Sequence, residues 1–323
     1  MENINTLQAA ILHFSDYENC KAVLVQLRWP DGVACPRCGA TKVTYLANKR
    51  VWKCYGRHAQ PTFSLKTGTI FEDSPLGLDK WLPALWLAVN SKNGISSCEV
   101  ARALGVTQKT AWFMMHRIRV ALQSQGGELF KGQIEADETF IGGKAKNMQQ
   151  EKRFRLKMGS GYIDNKVAVL GILQRKQKGS DGHSVVRTKV IPDVTRATLD
   201  PEVRKNVRVG SEILTDAHSA YRSLDDNYMH QFVDHIEKYA EGHIHTNGLE
   251  NFWSLLKRAL GGTYVSVEPA HLSRYVDEQV FRYNNRKGKD GDRFTKAAGS
   301  IVGKRLTYQD LIGKDAEVHP ALA

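Results

Sequence analysis

Two thiols in Cys35-Pro-Arg-Cys38, with Cys54 and His58 downstream, constrain this chain more than any other feature. A Cys-x-x-Cys turn can supply two corners of a tetrahedral zinc site, and a closed structural site needs two further ligands. Gly39 eases the turn. Between the halves, Val43–Ala47 and Arg50–Lys53 read as short strands joined by Asn48-Lys49, a hairpin able to return Cys54 to the knuckle. Cys35, Cys38, Cys54 and His58 are therefore the expected ligands of one structural Zn²⁺. The alternative is a free-thiol surface loop with His58 an ordinary polar residue. Five cysteines, an odd number crowded toward the N-terminus, suit a metal site with spare thiols better than a disulfide framework. Cys20 and Cys98 lie in helical patterns and read as buried structural thiols.

The 323 residues suffice for two or three domains with a sizeable core. Lys and Arg outnumber Asp and Glu by 46 to 34, a net charge of +12, which favours polyanionic partners. A basic protein without such a partner would look the same on charge alone. No apolar run approaches the length needed to span a bilayer, and no membrane partner is expected. Met1 to Gln8 lacks a basic region followed by an apolar stretch, so a cytoplasmic location is expected.

The pattern predicts a multidomain α+β and α/β chain. Residues 1–73 hold a helix, Asp16–Arg28, and the ribbon. Residues 74–127 are helical up to Gly126-Gly127. In 128–290, strand character at Ile134–Ile141, Val167–Leu173, Val185–Ile191 and Glu212–Thr215 gives way to helical periodicity at Thr198–Val207, Asn247–Leu260 and Ala270–Tyr283. That order suggests a layered α/β domain with a mixed sheet. Residues 291–323 are weakly patterned and read as a tail.

Ser96 to Ile118 has the form of a helix-turn-helix. Ser96 or Ser97 caps the first helix, Gly105 permits a left-handed turn, and Thr107 caps the second. Ala111, Trp112, Met115 and Ile118 face inward, leaving Gln108, Lys109 and Thr110 to reach DNA. An αα-hairpin with a packing role is the alternative.

Three acidic residues occupy settings suited to metal chemistry. Asp137 lies in a strand followed by Gly142-Gly143, and Asp216 closes another strand, so both could meet at one sheet edge. On the helix beginning at Asn247, Leu249, Phe252, Trp253, Leu256 and Leu260 make an apolar face; Asn247, Glu250, Ser254 and Lys257 share another side. The bland readings are a solvated edge strand around Glu135, Asp137 and Glu138, a helix N-cap at Asp216, and a capping-box-like role for Asn247 with Glu250.

Cys35-Pro-Arg-Cys38, Gly68-Thr-Ile-Phe71-Glu-Asp-Ser74, Ala136-Asp137-Glu-Thr-Phe-Ile-Gly-Gly143, Thr215-Asp216-Ala-His218 and His245-Thr-Asn247 through Arg258 together resemble bacterial insertion-sequence transposases of the DDE class, in the branch with an N-terminal zinc ribbon. The resemblance covers nearly the whole chain. It implies a ribonuclease-H-like catalytic domain, a two-metal site and recognition of terminal inverted repeats. Carried over by position, it makes Asp137, Asp216 and Glu250 the ligands of two Mg²⁺ (or Mn²⁺), with Lys257 the basic residue two turns on. In this branch the third ligand is Asn or Glu, and this chain offers both Asn247 and Glu250; Glu250 is preferred because Lys257 follows at the family spacing. The Cys-x-x-x-His half departs from the common four-cysteine ribbon.

The expected function is metal-dependent cleavage of element ends and strand transfer into target DNA. A binding-only regulator with a retired catalytic domain, or a nuclease without a joining step, are the alternatives. Arg117, Arg119, Lys144 and Arg258 are candidate phosphate contacts, with ordinary solvated charges the alternative; His218 and His245 could orient carboxylates or touch the scissile phosphate, or be structural. Double-stranded DNA is the expected partner, with a homodimer or higher oligomer bringing two ends together in the nucleoid.

Overall fold

The computed structural model describes residues 4–124, 126–142, 166–176, 182–216, 219–233 and 245–313. The described residues divide into two compact units, one of residues 4–124 with 285–313, the other of residues from 126 to 284.

The first unit opens with α1 (Leu7–Phe14) and α2 (Tyr17–Arg28), capped by the side chains of Thr6 and Asp16. The cysteine hairpin follows as expected: β1 (Val43–Leu46) pairs antiparallel with β2 (Val51–Cys54). Arg50 takes a left-handed conformation, φ 53°, to close the turn. A short β3 (Thr62–Phe63) adds to β2. Trp52 stacks on Phe63 at 5.8 Å, the small core of a sheet too thin to bury much else.

Three helices come next, α3 (Leu78–Asn90), α4 (Ser97–Leu104) and α5 (Gln108–Leu122). α3 is apolar almost all round and is buried on nearly every side. The local signals between α4 and α5 behave as their chemistry requires. Ser96 and Glu99 form a reciprocal capping box, Gly105 sits at φ 62°, and Thr107 accepts from the Thr110 N–H. Residues beyond 290, expected as a tail, include two helices. Asp290–Gly299 buries Phe294 against Phe14 and Trp86, and Tyr308–Ile312 is capped by Thr307. Their apolar positions are too few for a sequence period to stand out.

The second unit is built on a five-stranded sheet in the order β6-β5-β4-β7-β8. Its strands are β4 (Gln133–Ile141), β5 (Val167–Gln174), β6 (Val185–Ile191), β7 (Glu212–Asp216) and β8 (Met229–Val233), with α6 (Arg196–Asn206) between β6 and β7. β4, β5 and β6 pair antiparallel, while β7 and β8 run parallel to β4, so the sheet is mixed. One face packs on α6 through Ile134, Ala136, Ile213, Leu199, Val203 and Tyr221. The other carries Val169, Leu173 and Val186 and is covered by α7 (Asn247–Arg258) and α8 (Leu272–Asn284), through Leu249, Phe252, Trp253, Leu272 and Val276. A helix layer on each face of a mixed sheet is the layered arrangement that strands interleaved with helices suggest.

Candidate functional site

At the hairpin, the ligating atoms of Cys35, Cys38, Cys54 and His58 all lie within 4.8 Å of one another. Cys35 Sγ is 3.6 Å from His58 Nε2, and Cys38 Sγ is 3.6 Å from Cys54 Sγ. A tetrahedron with Zn–S bonds of about 2.3 Å has edges of roughly 3.7 Å, so this donor set fits one zinc. Three thiols and an imidazole converging this closely support a structural Zn²⁺, with His58 as the fourth corner. The knuckle is shaped by its backbone: Gly39 sits at φ 72°, and the Cys35 N–H donates to the Ala40 carbonyl at 2.9 Å. Gly56 is a residue that spacing alone does not single out. Its N–H donates to Cys54 Sγ at 3.2 Å, and a Cβ there would stand 2.8 Å from Cys38 Sγ. Cys20 is buried as expected and its thiol meets the Phe14 carbonyl, whereas Cys98 is exposed.

In the second unit the acidic residues converge around the middle of the sheet. β4 is the central strand, which removes the solvated-edge reading of Asp137. Asp137 sits mid-strand, since β4 runs on to Ile141, while Asp216 closes β7 as expected. The parallel register pairs Gln133 with Glu212, Ile134 with Ile213 and Glu135 with Leu214. Continued two residues, it sets Asp137 beside Asp216 on the neighbouring strand, on the face away from Ile134 and Ala136. That is the face α7 covers.

Trp253 locks this corner. Its indole Nε1 donates to Asp137 Oδ2 at 2.9 Å. Its ring lies on Gly171, the cross-strand partner of Asp137, where a Cβ would be 2.6 Å from Trp253 Cζ2. Glu250 is one turn earlier on the same helix, and Thr246 Oγ1 is 3.5 Å from its Oε1. Burial pushes the Asp137 carboxyl from 3.8 up to about 6; the negative charges of Asp216 and Glu250 push it the same way, against the Trp253 hydrogen bond. Glu138 is raised to about 7, again mainly by burial, and accepts a hydrogen bond from Tyr221. Asp216 and Glu250 thus both act on Asp137, although they are far from it in sequence.

The α7 face assignments match the spacing. Leu249, Phe252, Trp253 and Leu256 are buried; Asn247, Ser254, Lys257 and Arg258 are exposed, and Glu250 is half-buried. The cap differs. Thr246 is the N-cap and makes no side-chain cap bond, so Asn247 and Glu250 form no capping box.

Residues 129–284 match the ISXO2-like transposase domain, and residues 15–59 match the transposase zinc-ribbon domain. A transposase-like protein of Haemophilus influenzae is 35% identical over 120 residues, 36% of this chain and 97% of its own length. The chain belongs to the ISXO2-like insertion-sequence transposases. A protein in transposable element ISH50 of Halobacterium salinarum is also similar, 28% identical over 74% of this chain and 81% of its own length.

Within this transposase the residues expected to meet DNA fall into two groups. Gln108, Lys109 and Thr110 head α5 and are exposed or partly so. Gln108 donates to Ser97 Oγ at 2.9 Å, Thr110 shares a hydroxyl bond of 2.8 Å with Thr107, and Lys109 Nζ lies 5.0 Å over the Tyr308 ring. Arg258 is exposed at the end of α7. Arg117 and Arg119, by contrast, are only 4% and 2% exposed, which corrects their reading as phosphate contacts. Arg117 donates to the Glu72 carbonyl and lies against the Trp81 and Phe113 rings. The reason is that α5 is buried on all sides from Met114 to Arg119, so helical period alone assigns it too narrow an inner face. Lys144 and His218 lie outside the described residues. No described helix is long and apolar enough to cross a membrane.

Proposed function

We propose that this transposase binds the terminal inverted repeats of its element and carries out metal-dependent cleavage and strand transfer in a ribonuclease-H-like catalytic domain. The observation that carries the reading is the carboxyl cluster: Asp137, half-buried and held by Trp253, has its charged form opposed by Asp216 and Glu250. Gathering three carboxylates in a partly buried site is costly unless cations neutralise them. Hard oxygen donors of this kind suit Mg²⁺ or Mn²⁺.

Asp137, Asp216 and Glu250 are the residues that would hold two such ions. When bound, the ions supply Lewis-acid stabilisation of the phosphodiester and activate the attacking oxygen. Trp253 occupies Asp137 Oδ2, leaving the other oxygen for a cation. Glu250 is preferred to Asn247 as the third ligand: its charge is felt at Asp137, whereas Asn247 is the exposed first residue of the helix. Lys257 and Arg258, exposed in the last turn of α7, would contact DNA phosphate.

In the first unit, α4 and α5 act as a helix-turn-helix, with Gln108, Lys109 and Thr110 as base or phosphate contacts and the zinc ribbon as a second DNA-contacting module. Two DNA ends must be brought together, so the working species on DNA is a dimer or larger.

Labelled element ends incubated with the protein and Mg²⁺ or Mn²⁺ test the reading. Nicked ends together with joined product are expected. Binding alone would indicate a regulator, and nicking without joining a nuclease. Glu250→Gln is expected to abolish both steps and Asn247→Ala to retain them; the reverse pattern would transfer the third-ligand role to Asn247.

A further inference from the structure

Glu135 lies two residues before Asp137 on β4, on the same face, and is 1% exposed. A carboxylate so buried needs partners for both oxygens. It has them. Oε1 accepts from Arg175 Nε at 2.6 Å, and Oε2 accepts from the Leu249 backbone N–H at 2.8 Å, in the first turn of α7. The neighbouring residue, Gly248, has no room for a side chain because a Cβ would stand 2.7 Å from Glu135 Oε2. Arg175, the residue after β5, also reaches the segment entering the helix. Its guanidinium donates to the His245 carbonyl at 2.6 Å and lies 2.7 Å from His245 Nδ1. Sheet and helix are thus joined at the residue immediately before Glu250.

We propose that Glu135, with Arg175, is a positioning residue that sets the separation of Glu250 from Asp137 and so defines the spacing of the cation ligands. The inference rests on the carboxylate reading of the site given above. The proposal gives Glu135 no ligand role: it is 1% exposed, and each of its oxygens already accepts from a protein donor. Its two attachments act on opposite sides of the cluster: along β4 it is tied to Asp137, and through the Leu249 N–H it is tied to Glu250. Trp253 fixes the same helix one turn further on, against Gly171 and Asp137. Removing the Glu135 anchor leaves α7 free to tilt about the Trp253 contact, which moves Glu250 while leaving Asp137 in place.

The test is Mn²⁺ binding to the full-length, zinc-loaded protein, followed by electron paramagnetic resonance, alongside the Mg²⁺ dependence of end cleavage and a thermal melt. Four proteins are compared: wild type, Asp137→Asn, Glu135→Gln and Gly248→Ala. Asp137→Asn is expected to abolish Mn²⁺ binding. Glu135→Gln and Gly248→Ala are expected to remain folded and to raise the Mn²⁺ and Mg²⁺ concentrations needed roughly 10- to 100-fold, with cleavage partly recovered at saturating metal. Gly248→Ala keeps the buried ion pair, so it carries the test if Glu135→Gln fails to fold. Folded Gly248→Ala with a lower melting temperature and unchanged metal dependence would reduce Glu135 to a structural ion pair and overturn the inference. Unchanged Mn²⁺ binding in Asp137→Asn would instead sink the carboxylate site itself.

Discussion

Asp137→Asn should make the zinc-loaded, Mg²⁺-free protein more stable. The Asp137 carboxyl has its pKa raised from 3.8 to about 6, first by burial and then by Asp216 and Glu250. A group whose folded pKa is raised stabilises the fold below its unfolded pKa and loses that contribution as pH climbs through the folded value. The gap between 3.8 and about 6 corresponds to roughly 3 kcal/mol, lost between about pH 4 and pH 6. Asparagine carries no charge and keeps an oxygen to accept the Trp253 indole N–H. At pH 8 without Mg²⁺, it should recover up to about 3 kcal/mol; for a domain of this size, that is a rise of roughly 6–12 °C in melting temperature. At pH 5 the gap should shrink, because wild-type Asp137 is then largely protonated. Mg²⁺ should reverse the order at pH 8, stabilising wild type by mass action and leaving the variant unmoved. Calorimetry at both pH values, with no chelator so that zinc is retained, measures all of this. A variant that melts below wild type at pH 8 without Mg²⁺, by a margin unchanged at pH 5, would show that Asp137 is a structural carboxylate.

Gly171→Ala places a methyl group 2.6 Å from Trp253 and 2.9 Å from Leu249 Cδ2; it should cost about 1–3 kcal/mol in urea unfolding and perturb the fluorescence of the indole on Asp137. Arg117→Ala should destabilise the protein by about 1.5–3 kcal/mol through the lost bond to the Glu72 carbonyl, while the salt dependence of DNA binding keeps its slope; an unchanged melt with a slope shallower by about 1 would return Arg117 to the DNA surface. Gly56→Ala should weaken zinc retention by crowding Cys38 Sγ, read as loss of bound zinc and of ordered near-ultraviolet dichroism from Trp52. Full zinc content in that variant would count against Gly56 as part of the knuckle.

What could be read from the linear chain was whatever depends on neighbours a few residues apart. The Cys35 to His58 spacing, the Ser96 and Thr107 caps, the Gly105 turn and the α7 face are all local, since a hairpin, a cap or a helical turn needs only a short stretch to define it. The carboxylates were legible as candidates because their motifs are local too. Their meeting was legible only as a possibility. It depends on β4 being the central strand, on the β4–β7 register, and on an indole reaching back across 116 residues to Asp137. Glu135 shows the limit most clearly. Beside Asp137 and Glu138 it reads as one more solvated charge, and only packing turns it into the buried acceptor at the start of α7. Arg117 is the same lesson with the opposite charge: it is buried against the Glu72 carbonyl and the Trp81 ring, which no periodicity within α5 can reveal. Short-range chemistry fixes the parts. Which side of each part faces protein, and which acid meets which helix, follows from long-range burial.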